Sequence, residues 1–198
     1  MSSGDPETRE RILKETWRLM ELRKGQGVRL GDIARAAGIS RQAVYLHFAS
    51  RTELLVATAR YVDQIHGLDE RLAAFRQTTG GVESLRVYVD FWVNYIPEIY
   101  GLAKALLAVR ETDKAAAAAW EDRMEALREG CRCVIDCLQR EHLLAAGWNS
   151  ADATEMMWGM SSVTMWEDLT IGRGWSQTQY LARMKEALER IFIRSGAD

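Results

Sequence analysis

Apolar positions recur every three or four residues along most of the chain and nowhere alternate one in two, as a half-buried strand would require. Ile12, Leu13, Thr16, Trp17 and Met20 follow helical spacing behind Asp5, a capping residue, and Pro6, which suits a first helical turn. Gly25 and Gly27 end that helix. A short helix is predicted from Leu30 to Ala37, broken by Gly38, and another from the N-cap Ser40 to His47. Ser50 and Glu53 form a capping box before a long fourth helix expected to reach Gln77.

Gly80-Gly81 separates this helix from Val82–Ile96, where Leu85, Tyr88, Val89, Trp92 and Tyr95 share a face, and Pro97 predicts a break or kink. Further helices are expected through Leu102, Leu106 and Val109, and from about Asp113 to Leu144, the latter opening on the alanine run Ala115–Ala119. After a turn at 147–150, two last helices are expected at Ala151–Ile171 and Gln177–Arg194, with a second capping box at Ser176 and Gln179. With two prolines in 198 residues, the pattern reads as an all-α chain.

Composition changes this picture little: 47% apolar residues are enough for a packed core. No apolar run approaches the roughly 20 residues of a membrane span. The polar start of the chain lacks the apolar centre of a signal peptide. Three cysteines in one short segment, Cys131, Cys133 and Cys137, make a poor disulfide framework. A cytoplasmic protein without membrane contact is the expectation. Net charge is −2, but residues 1–51 hold ten Lys/Arg against six Asp/Glu, a local excess of +4. A basic segment on an acidic body suits a protein that meets phosphate at one end.

The segment from Leu30 to Leu55 concentrates the chemistry. Two short helices meet at a turn containing Gly38, Ala34 is small where they cross, and Ile33, Ala37, Ile39 and Val44 supply a miniature core that the first helix would complete. This is the logic of a helix-turn-helix, whose second helix enters the DNA major groove. Ile33-Ala34, Ala37-Gly38-Ile39, Tyr45-x-x-Phe48, Arg51 and Leu54-Leu55 together make residues 8–56 resemble the DNA-binding domain of the TetR family of transcription repressors. Two positions depart from that family: Arg29 stands where it often has Thr or Ser, and Arg51 where it often has Lys.

The resemblance implies a helix-turn-helix domain over 1–51 and a helical effector-binding and dimerisation domain over 52–198. Arg29, Ser40, Arg41, Gln42, Ala43, Tyr45, His47 and Arg51 match its DNA-contacting positions. Among them Arg41 and Gln42 suit base edges, guanine and adenine respectively, while Tyr45, His47 and Arg51 match phosphate contacts. Read as residues alone, Tyr45 also fits a core aromatic, His47 a surface histidine and Gln42 a solvated side chain; Phe48, Leu54 and Leu55 are core.

The resemblance also implies a homodimer through the last two helices and a pocket among the middle ones. Met156, Met157, Trp158, Met160, Val163, Met165, Trp166 and Leu169 make one helix apolar nearly all round, and Tyr180, Leu181, Met184, Leu188, Ile191 and Phe192 stripe the next. Phe91, Trp92, Tyr95, Tyr100, Trp120 and Met124 are the candidate effector residues, with Asp90, Asn94 or Glu98 to orient an apolar or aromatic small molecule; core packing is the plainer reading for most of them.

The long helix from Ser50 is expected to transmit effector binding to the reader. Cys133 and Cys137 share a helix face, which admits a redox or metal role or simple apolar filling. The expected function is thus a repressor released from a palindromic operator, with no enzymatic activity, metal or cofactor. The alternatives are a ligand-independent dimeric activator or architectural protein, and a helical enzyme, although no His-x-x-x-His pair, phosphate loop or nucleophile motif occurs.

Overall fold

Asp5 starts the first helix as its chemistry dictates: its carboxylate accepts hydrogen bonds from the backbone N–H groups of Glu7 and Thr8. The computed structural model describes residues 5–194. In it α1 (Pro6–Leu22) leads to α2 (Leu30–Ala36), α3 (Arg41–His47), α4 (Arg51–Ile65), α5 (Leu68–Arg76), α6 (Gly81–Val109), α7 (Lys114–Arg140), α8 (Ser150–Met160) and α9 (Val163–Glu167). A π-helical turn over Asp168–Gly172 and α10 (Gln177–Phe192) complete the chain. Among the described residues no strand forms, and β pairing is confined to an isolated bridge between Leu144 and Ile193. The chain is all-α, as its apolar spacing requires.

The helices pack as two compact units. One comprises residues up to His66 together with Ile99–Met124; the other comprises Gly67–Glu98 and the chain from Glu125 onward. The first unit therefore extends well past the sequence boundary at residue 51. Its core joins Ile12, Leu13, Met20, Ile33, Val44, Phe48, Leu54 and Leu55 to Leu102, Ala105, Leu106 and Val109. Ala115, Ala116 and Ala119 are buried there as well, so the alanine run serves as a close-packing face. Below its apolar core, Arg123 pairs with Asp63 and Asp122, and Arg60 reaches Asp122 at 2.5 Å, fastening α4 to the first part of α7.

In the second unit, Leu85, Tyr88, Val89, Trp92, Val93 and Ile96 of α6 are buried, as are Val134, Ile135 and Leu138 of α7, Ala153 and Met157 of α8, and Tyr180, Met184, Leu188 and Phe192 of α10. The apolar stripe of the last helix is thus consumed largely within its own unit, leaving Leu181 and Ile191 half-buried. Met156 of α8 and Ile171 stay exposed.

Several helix boundaries differ from expectation. The fourth helix ends at Ile65 rather than Gln77: His66 caps it, Gly67 turns the chain at φ 64°, and α5 is a separate helix. The long helix through the cysteines spans Lys114–Arg140, and the last ends at Phe192. Pro97 sits inside α6 without ending it. Proline has no N–H to give the Val93 carbonyl one turn earlier. Gln177 Nε2 donates to that oxygen instead, at 2.5 Å, while Gln177 Oε1 accepts from Trp166 Nε1 at 3.0 Å.

The helix expected over 151–171 is interrupted at Ser161–Ser162. Ser162 Oγ accepts from Met165 N to begin α9, and Trp92 Nε1 donates to the Ser161 carbonyl at 2.7 Å. Side-chain groups thereby satisfy backbone atoms that an unbroken helix would have paired internally.

Candidate nucleic-acid interface

Gly38 makes the turn between α2 and α3. Its φ of 69° lies in the left-handed region, which side-chain-bearing residues enter only at a cost, and no atom stands within 4 Å of where a Cβ would be. The turn is closed by Ile39 N donating to Ala34 O at 2.9 Å and Gly38 N to Arg35 O at 3.2 Å, and Arg11 Nε of α1 donates to the Ala37 carbonyl at 2.9 Å. These bonds fix the angle at which α3 leaves.

Ser40 caps α3, its Oγ accepting from Ala43 N at 3.1 Å. Val44 and Phe48 turn inward and are 1% exposed, with the Arg9 guanidinium 4.9 Å from the Phe48 ring centre. That burial commits the opposite side of α3 to solvent. Ser40, Arg41 and Gln42 are exposed, Tyr45 is 44% exposed, and Ala43 and His47 are half-buried. Tyr45 is therefore a surface aromatic, and the Arg41 guanidinium lies 6.0 Å from its ring centre. The sequence did not single out Leu46, which is 79% exposed in the same outward arc; its signal was the four-residue spacing from Gln42.

Arg29 holds the position before α2 in extended conformation and makes no side-chain cap, as expected of a residue that only donates. It lines an open cleft with Leu30, Asp32, Arg35, Arg41, Arg51 and Asp113. Asp32 faces Arg23 at 2.8 Å, and this contact, with its hydrogen bond and charge, holds its carboxyl below the usual range. Arg51 opens α4 behind an N-cap: Ser50 Oγ accepts from Glu53 N, and Glu53 Oε2 reaches one residue past the cap to accept from Ala49 N at 2.7 Å. Its guanidinium is not idle. It donates to Asp113 at 2.5 Å and to the Val28 carbonyl at 3.1 Å. Sequence reasoning missed Asp113, which lies 62 residues away and bears no motif.

The six candidate effector residues do not fall in one compact unit. Phe91, Trp92 and Tyr95 belong to one, where Phe91 stacks on Tyr95 with ring centres 5.5 Å apart. Tyr88 and Phe75 extend the cluster, and Arg71 lies 5.6 Å over Tyr95 while reaching Glu98 at 2.8 Å. Asp90 pairs with Lys185 at 2.5 Å, and Asn94 donates to the Asp90 carbonyl. Tyr100, Trp120 and Met124 belong to the other unit, where Arg110 lies 5.6 Å over Trp120.

Among the described residues, no three His, Cys, Asp or Glu side chains gather as metal ligands, and no helix is long and apolar enough to cross a membrane.

Known proteins share the fold and, in part, the sequence. An HTH-type transcriptional regulator of Bacillus subtilis, YerO, itself uncharacterised, is 31% identical over 126 residues, a match covering 54% of this chain and 44% of YerO. A protein from Saccharomonospora viridis, solved in complex with choline, superposes with a TM-score of 0.73 at 18% identity, covering 96% of this chain and 99% of that one. The transcriptional regulator FadR of Bacillus subtilis, solved with stearoyl-CoA, gives 0.72 at 13% identity, covering 90% and 96%. These are regulators rather than enzymes where their function is stated. Residues 12–58, which hold the Gly38 turn, the outward face of α3 and the start of α4, match the model of the bacterial regulatory proteins of the tetR family.

Proposed function

We propose that this protein is a homodimeric transcription repressor of the cytoplasm that leaves a palindromic DNA operator when a small apolar or aromatic effector binds. The observation that carries the reading is the two-sidedness of α3. Val44 and Phe48 anchor it, and Ser40, Arg41, Gln42 and Tyr45 project as a free face of groove-reading chemistry. Arg41 and Gln42 read base edges. Arg29, Tyr45, His47 and Arg51 set the register on the phosphate backbone, while Ser40 and Ala43 open the recognition helix.

A single seven-residue helix reads too few bases for specificity, so two copies about 34–36 Å apart are required. The exposed Met156, beside a cleft lined by Trp148, Gly159, Met160 and Met165, supports pairing through α8 and α10. We place the effector at the cluster of Phe91, Trp92 and Tyr95. The relatives holding choline and stearoyl-CoA support a small-molecule effector without fixing its chemistry. Since α4 ends at Ile65, the signal travels through α6 and α7, each continuous across residues of both units.

Selection of bound duplexes from a random pool tests the reading. A palindrome is expected, with Gln42→Ala changing the preferred bases and Arg51→Ala lowering affinity for every duplex alike. Failure to bind any duplex at low salt overturns the proposal. A monomer at micromolar concentration by light scattering removes the dimer, and an operator complex that no apolar or aromatic compound dissociates removes the effector.

A further inference from the structure

We propose that Leu46 reads the C5-methyl group of a thymine lying within about two base pairs of the base read by Gln42. The inference rests on the proposed role of α3 as the DNA reader.

Leu46 is 79% exposed, more than any other large apolar side chain among the described residues. Its place on α3 explains it. At about 100° per residue, Arg41, Tyr45, Gln42 and Leu46 succeed one another around a single outward arc, while Val44 lies on the opposite side. Gln42 and Leu46 are four residues apart, so their side chains are neighbours on that arc, separated by about 6 Å along the axis.

A duplex in contact with this face meets an amide and an aliphatic tip side by side. In the major groove the amide matches adenine. The one apolar feature offered there by any base pair is the thymine methyl. Stacked pairs rise about 3.4 Å each, which sets the two-step limit. Leu46 also carries no charge, so it adds nothing to phosphate attraction; what it supplies is discrimination among bases.

The test replaces each thymine of the selected half-site in turn with deoxyuridine, which deletes only the methyl group. One substitution near the Gln42 position is expected to weaken wild-type binding by about fourfold per half-site, the contribution of one buried methyl group. Leu46→Ala is expected to bind the unmodified site with the same loss and to be indifferent to that deoxyuridine. Its helical circular dichroism should match wild type, since Leu46 contacts no core.

Wild type that selects a sequence yet tolerates deoxyuridine everywhere overturns the Leu46 assignment alone. A Leu46→Ala protein as sensitive to deoxyuridine as wild type does the same. Wild type that selects no duplex overturns the reading of α3 itself.

Discussion

Arg51 Nη1 donates to Asp113 Oδ1 at 2.5 Å, and the same oxygen accepts the backbone N–H groups of Ala115 at 3.0 Å and Ala116 at 3.3 Å. Asp113 is therefore at once the cap of α7 and the counter-ion of a guanidinium that the family pattern assigns to phosphate. Partial burial pushes its carboxyl upward, but the Arg51 hydrogen bond and charge, with the two amides, outweigh this and hold it below the usual range.

A depressed folded value stabilises the protein above the unfolded pKa of about 3.9 and ceases to do so as pH falls through the folded value. The urea midpoint of wild type should therefore drop more steeply from about pH 5 to below pH 3 than that of Asp113→Asn, which has no carboxyl to protonate. Parallel profiles would show that the pair contributes nothing to acid stability.

The same pair bears on DNA. A phosphate that approaches Arg51 must compete with Asp113 for it. Asp113→Asn is expected to raise affinity for unrelated duplexes and to steepen the dependence of log K on log salt by about one unit, as one more cation becomes available. Fluorescence anisotropy between low and moderate salt checks this. An unchanged slope would mean that Arg51 never reaches the backbone.

Gly38 separates backbone strain from crowding. With open space around its Cβ position, Gly38→Ala meets no clash, and its whole cost is the left-handed conformation, about 1–2 kcal/mol. Gly38→Asn should cost less, because asparagine tolerates that region. Chemical denaturation ranks the three proteins. Equal losses for Ala and Asn would point to a cause other than φ.

Burial pushes the Cys131 thiol up to about 12, and it also raises Cys133, with Glu129 adding its charge. Iodoacetamide near pH 8 should therefore leave Cys131 unmodified in the folded protein while Cys133 and Cys137 take label, and full denaturation should expose all three. Peptide mass mapping reads the outcome. Early labelling of Cys131 would contradict its burial.

The helix-turn-helix was legible in the sequence because its determinants are local. Gly38, the Ser40 and Ser50 caps and the apolar positions Ile33, Val44 and Phe48 act within a few residues of one another. What the sequence hid is non-local. Pro97 predicted a break, since nothing nearby signals that Gln177, 80 positions on, would satisfy the Val93 carbonyl. Asp113 as partner of Arg51 was invisible for the same reason. The aromatic residues of the middle helices share a periodicity that core and cavity produce alike, so spacing could not assign Tyr100 or Trp120 to a different unit from Phe91.

Gln177 provides the sharpest test of that long-range repair. Gln177→Leu fills a similar volume but leaves two groups without their partner: the Val93 carbonyl and the Trp166 indole N–H. A fully buried group left unsatisfied costs about 1–3 kcal/mol, and both of these bonds are part-buried, so a loss toward the lower end of that range is expected in urea unfolding. Pro97→Ala restores an N–H one turn after Val93 and allows the helix to pair that oxygen itself. In the Gln177→Leu background, Pro97→Ala should then recover the part of the loss due to Val93, while in the wild-type background it should change stability much less. The double-mutant cycle isolates this coupling. Additive effects would mean that Gln177 stabilises the fold through Trp166 alone and that the Pro97 carbonyl gap is satisfied by other means.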